Sequence, residues 1–84
     1  MQTVQELGEA VAARRRFLGL KQGYVASRAG LAQGVLSRFE RGNSSELGSR
    51  KLLAVLAVLG MELEFAEMKV SGSLDELRRE RGGT

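Results

Sequence analysis

The chain has 84 residues, a net charge of +3, and neither cysteine nor histidine. That length is one small domain, and the missing residue types exclude disulfide staples, thiolate metal sites, cysteine nucleophiles and the commonest general base. No cofactor, metal or catalytic residue is expected, and a binding module is favoured over an enzyme. The charge is uneven. Residues 1–60 hold nine basic and four acidic groups, and residues 61–84 hold four basic and six acidic. A basic front portion suggests a polyanionic partner. No apolar run approaches the roughly 20 residues of a membrane span. Met1-Gln2-Thr3 begins no basic-then-apolar signal pattern. A cytoplasmic protein is the expectation.

Proline is absent, so glycine punctuates the chain: Gly19, Gly30, Gly42, Gly48 and Gly60 mark turns between short helices. The first helix is predicted over Val4 to Leu18. Thr3 and Glu6 have the spacing of a capping box, and Leu7, Ala10, Val11 and Leu18 lie near one face. Arg14, Arg15 and Arg16 are consecutive and point in different directions. As ordinary surface cations they would suit the negative end of the helix dipole.

A second helix is predicted over Gln22 to Ala29, with Val25, Ala26 and Ala29 inward and Gly30 as its stop. Its Tyr24 is expected to pack between helices. The third helix runs from Gln33 to Arg41, burying Val35, Leu36 and Phe39 and stopping at Gly42. Asn43 to Leu47 is a polar loop. The fourth, Ser49 to Leu59, is apolar nearly all round, which implies burial on more than one side and so a second subunit.

Beyond Gly60 the period changes to two. Met61, Leu63 and Phe65 alternate with Glu62, Glu64 and Ala66, the pattern of a half-buried strand. The chain holds no second convincing strand, so this one needs another molecule, most simply a symmetry mate. Met61 and Met68 suit an interface. Residues 71–84 are polar, with Ser73 and Glu76 able to cap a short helix through Leu77, and are expected to form a mobile charged tail.

Leu7 to Leu59 resembles the Cro/lambda-repressor-like, or XRE-type, helix-turn-helix family. The resemblance rests on Gly19-Leu20-Lys21-Gln22, Val25-Ala26, Gly30-Leu31, Leu36-Ser37-Arg38-Phe39-Glu40-Arg41-Gly42 and Leu52-Leu53 through Leu59-Gly60. It implies a mainly α fold: a four-helix helix-turn-helix domain over residues 1–60. A dimerising strand over 61–70 and the tail over 71–84 follow it. A helix-turn-helix followed by one alternating strand looks most like the HipB-type antitoxins. For those, the family implies intermolecular strand pairing, repression of the toxin operon and binding to a kinase-like toxin. The chain departs from the family where a capping Ser, Thr or Asp usually stands, with Lys21 before the second helix and Ala32 before the third. Each lost cap costs about 1 kcal/mol.

On that resemblance the helix from Gln33 is the recognition helix, offering its N-terminal residues to the major groove. Ala32, Gln33, Gly34, Ser37 and Arg38 are the candidate base contacts. Gln33 can pair bidentately with adenine, and Arg38 with guanine. Gln22 matches the family's phosphate anchor, with Lys21, Arg28, Arg41 and Asn43 as phosphate neighbours. The family also implies a structural ion pair between Arg15 and Glu40. Leu56, Leu59, Met61, Leu63 and Phe65 are the candidate dimer interface. The expected partner is an inverted-repeat operator in double-stranded DNA, bound by a homodimer associated with the bacterial nucleoid. A HipA-like toxin is a further expected partner. A free-standing regulator without a toxin is the nearest alternative. A protein-interaction module on the same scaffold is a more distant one.

Overall fold

The computed structural model describes residues 3–43 and 47–68. The expected tail over 71–84, with its short helix, and the end of the alternating segment at 69–70 lie outside the described residues. Four helices follow one another: α1 (Val4–Phe17), α2 (Gln22–Ala29), α3 (Gln33–Glu40) and α4 (Ser49–Val58).

Thr3 starts α1. Its backbone is extended, and its hydroxyl accepts from the Glu6 amide at 3.0 Å. Gly8 faces inward at a close crossing, where a methyl group would overlap the carbonyl oxygen of Phe39. So α1 and α3 approach backbone to backbone. That explains a buried glycine within a helix, a placement that otherwise costs about 1 kcal/mol relative to alanine.

The five punctuating glycines all have positive φ. Gly60 shows why. It donates to Ala57, while Met61 donates to the Leu56 carbonyl at 2.8 Å. This left-handed closure satisfies the last carbonyls of α4, and only glycine adopts it without a Cβ penalty. At α1, α3 and α4 the residue before the glycine caps the helix rather than extending it, while Gly30 is itself the cap of α2. Accordingly α1, α3 and α4 end one residue earlier than predicted, with Leu18, Arg41 and Leu59 as their caps.

One core joins the helices: Val11 of α1, Val25 and Ala26 of α2, Leu36 and Phe39 of α3, Val55 and Leu56 of α4, and Leu59. α1 and α2 each pack on α3, and α2 also packs on α4. Three expected core positions differ. Leu18 is 39% exposed, because it sits past the last turn of α1. Val35 is only half-buried, since Leu36 and Phe39 take the inner face of α3. Tyr24 is 47% exposed, with the Arg28 guanidinium over its ring at 5.1 Å.

The fourth helix is not buried on all sides. Val55 and Leu56 point into the core, while Leu53 is 48% exposed and Ala57 is also exposed. Leu56 and Leu59, expected at a dimer interface, are enclosed by the chain's own core. The aliphatic seam of α4 is thus used within one chain, and Leu53 and Ala57, one turn apart, form its outer strip.

Among the described residues there is no strand. Residues 61–68 run on from Gly60 without a ladder in the chain. Met61 rests on the core and Leu63 is 49% exposed, beside a groove of about 260 Å³ also lined by Leu7 and Ala10 of α1. Phe65 is 99% exposed and Met68 55%.

Candidate nucleic-acid interface

The α1–α3 frame is locked before the site is reached. Glu40 has a side chain only 2% exposed. Arg15 meets it with two parallel hydrogen bonds, Nε to Oε2 at 2.7 Å and an outer nitrogen to Oε1 at 2.9 Å. The other outer nitrogen donates to the Leu20 carbonyl at 2.9 Å, and Gln22 Nε2 donates to Glu40 Oε1 at 2.8 Å. No buried side-chain nitrogen or oxygen among the described residues lacks a partner. The Glu40 hydrogen bond raises the Arg15 pKa, burial opposes it, and the carboxylate charge adds to the rise. The guanidinium is therefore charged at any working pH.

The arginine triplet divides three ways. Arg15 holds Glu40. Arg14 donates from Nε to the Leu59 carbonyl at 3.1 Å, tying α1 to the end of α4, and lies over the Phe17 ring at 5.6 Å. Arg16 is exposed. The cap on α4 and the Gln22 bond are the two functions that sequence reasoning missed. The spacing of three adjacent arginines shows only that they diverge. Which acceptor each one reaches is decided by the packing of α1 against the rest of the chain.

Beyond this frame, α2, the Gly30-Leu31-Ala32 turn and α3 form one surface. Gly30 closes α2 with φ of 77°, and the Leu31 amide donates to the Ala26 carbonyl at 2.8 Å. Ala32 then stands extended as the N-cap of α3. Neither Lys21 nor Ala32 gives a side-chain cap, so both helix starts keep backbone N–H groups for another acceptor.

On α3 the face away from Leu36 and Phe39 carries Ala32, Gln33, Gly34 and Arg38 exposed, with Ser37 half-buried between them. These residues fall at helical spacing along one stripe. Arg38 folds back along it, its guanidinium 3.9 Å from where a methyl on Gly34 would sit. Gln33 leans the other way, toward the first turn of α2. There an open groove of about 730 Å³ is lined by Lys21, Gln22, Gly23, Tyr24 and Gln33 together with the end of α1.

The expected phosphate neighbours fall into separate places. Lys21 and Gln22 flank that groove. Gln22 is half-buried and engaged with Glu40, which leaves one N–H and its carbonyl oxygen for a ligand. Arg28 is exposed near the other end of α2, above Tyr24. Arg41 and Asn43 are exposed past the end of α3, an eight-residue helix about 12 Å long. The cations therefore bracket the stripe rather than cluster.

The electrostatics follow from one placement. Glu40 is the sole acid between residues 10 and 45, and Arg15 neutralises it inside the domain. Every charge this stretch leaves on the surface is positive. The exposed acids of the described residues lie on α1 and along residues 61–68.

A family model described as a helix-turn-helix domain matches residues 1–70. No curated protein matches the chain. No helix among the described residues is long and apolar enough to cross a membrane. Four short helices, a tight turn between the second and third, and an outward stripe on the third are how this chain builds that domain, and it belongs to the helix-turn-helix domain family.

Proposed function

We propose that the chain is a sequence-specific repressor of transcription that binds an inverted-repeat operator in double-stranded DNA as a homodimer. The observation that carries this reading is the outward stripe of α3. Gln33 and Arg38 stand exposed on it, on a surface whose free charges are all positive. In this reading α3 enters the major groove, where Gln33 reads adenine and Arg38 reads guanine. The bare starts of α2 and α3, with Lys21, Gln22, Arg28, Arg41 and Asn43, hold phosphates on either side. Gly34 and Ala32 give close approach and an apolar contact for a thymine methyl.

The dimer rests on two observations. Residues 61–65 alternate apolar and polar, and Leu63, Phe65 and Met68 stay exposed in a single chain. Pairing two copies of this segment would satisfy its backbone and cover Phe65. The resemblance to HipB-type antitoxins extends the reading to a toxin–antitoxin operon with a kinase-like toxin and to a nucleoid-associated site of action. A neighbouring gene product that co-purifies with the chain supports that extension; a chain purifying alone favours a free-standing regulator. The core reading is tested by a mobility shift on the duplex upstream of the chain's own gene, beside a scrambled duplex. A shift specific to the upstream duplex is expected, and equal shifts or none would overturn it.

A further inference from the structure

Gly23 is the second residue of α2, where helix propensity favours almost any other residue. Its own backbone does not require glycine, because only the five turn glycines have positive φ. The space in front of it is occupied from α3. A Cβ at position 23 would lie 3.3 Å from Gln33 Oε1 and 3.8 Å from its carboxamide carbon. No other neighbour approaches that point within 4 Å. Among the described residues the Gln33 carboxamide has no hydrogen-bond partner, so its placement is left to the open space over Gly23 and to its own torsions.

We infer that Gly23 is a specificity-determining positioning residue. It is a flat seat on α2 that sets the orientation of the Gln33 carboxamide on α3. The inference rests on the proposed reading of DNA by α3 and assigns part of that reading to a residue outside the recognition helix. A bidentate contact to adenine needs the amide plane aligned with the base edge, and a braced side chain loses less freedom on binding than a free one. A methyl at position 23 makes the contact tighter than ordinary packing. The free end of Gln33, being exposed, is the group that gives way. Gly23 would then act only through Gln33, touching no base itself.

The test uses the full chain and the duplex upstream of its gene, with single base-pair variants across each half-site. The proteins compared are wild type, Gly23→Ala, Gln33→Ala and the double variant. Gly23→Ala is expected to melt no lower than wild type. It should lose about tenfold in discrimination at the base pair whose preference Gln33→Ala also abolishes. Adding Gly23→Ala to Gln33→Ala should change nothing further. Full discrimination in Gly23→Ala would overturn the inference while leaving the DNA-binding reading intact. An equal loss in both backgrounds would also overturn it, since Gly23 would then act independently of Gln33. Wild type failing to prefer the upstream duplex would overturn the inference together with the reading it rests on.

Discussion

Arg15 and Glu40 are joined by two parallel hydrogen bonds of 2.7 and 2.9 Å, with the carboxylate almost wholly buried. The pair spans 25 residues of sequence and fixes α1 against α3. Gln22 joins it from α2, so three helices share one carboxylate. A buried charge pair of this kind adds little over an apolar pair of the same shape. Breaking it by removing one partner is what costs.

Arg15→Ala is therefore expected to destabilise the domain by about 3–5 kcal/mol, because Glu40 stays buried and loses its cation. That is comparable with the whole stability of a domain this small. Replacing both partners together, Arg15→Met with Glu40→Leu, should cost much less. Urea titration followed by circular dichroism measures both. A loss under about 1 kcal/mol in Arg15→Ala, with DNA affinity reduced, would show that Arg15 serves the ligand rather than the frame.

Gly8→Ala gains helix propensity of about 1 kcal/mol but places a methyl group on the Phe39 carbonyl. Backbone cannot swing aside as a side chain does, so overpacking falls at the upper end of about 1–3 kcal/mol or beyond it. The expected net loss is about 2 kcal/mol in urea titration. A more stable Gly8→Ala protein would mean that α1 and α3 do not cross this closely.

Phe65 is 99% exposed, beyond the last helix. Phe65→Asp is expected to turn a dimer into a monomer at micromolar concentration by sedimentation, with helical content unchanged because the core does not involve it. Operator affinity should fall with the dimer, since each chain then binds one half-site alone. A wild-type monomer, or a Phe65→Asp dimer, would count against pairing through residues 61–66.

Much of this was legible in the chain because its local signals agree. Gly19, Gly30, Gly42 and Gly60 divide the sequence where the helices end, Gly48 stands where α4 begins, and Thr3 starts α1 as its spacing to Glu6 indicates. Leu36 and Phe39 face inward as their period requires. What stayed hidden depends on partners distant in sequence. Gly8 is explained only by Phe39, and Arg14 only by the end of α4. Tyr24 shows the same limit: an aromatic on a short helix suggests core, but Val25 and Ala26 already fill the inner face of α2. In α4 the apolar excess was visible, yet its division between core and surface depends on how α2 packs against it.

The central claim is that α3 reads DNA through Gln33 and Arg38. The most direct test is a mobility shift on the upstream duplex with wild type, Gln33→Ala and Arg38→Ala at two salt concentrations. Lys21, Arg28 and Arg41 from each of two chains would release about six counterions, lowering affinity about a thousandfold between roughly 50 and 200 mM salt. Each substitution should cost about 1–3 kcal/mol at its own base pair and leave the melting temperature unchanged, because both side chains are exposed. Specific, salt-dependent binding lost in both variants is the predicted result. Binding that neither variant weakens would contradict the account.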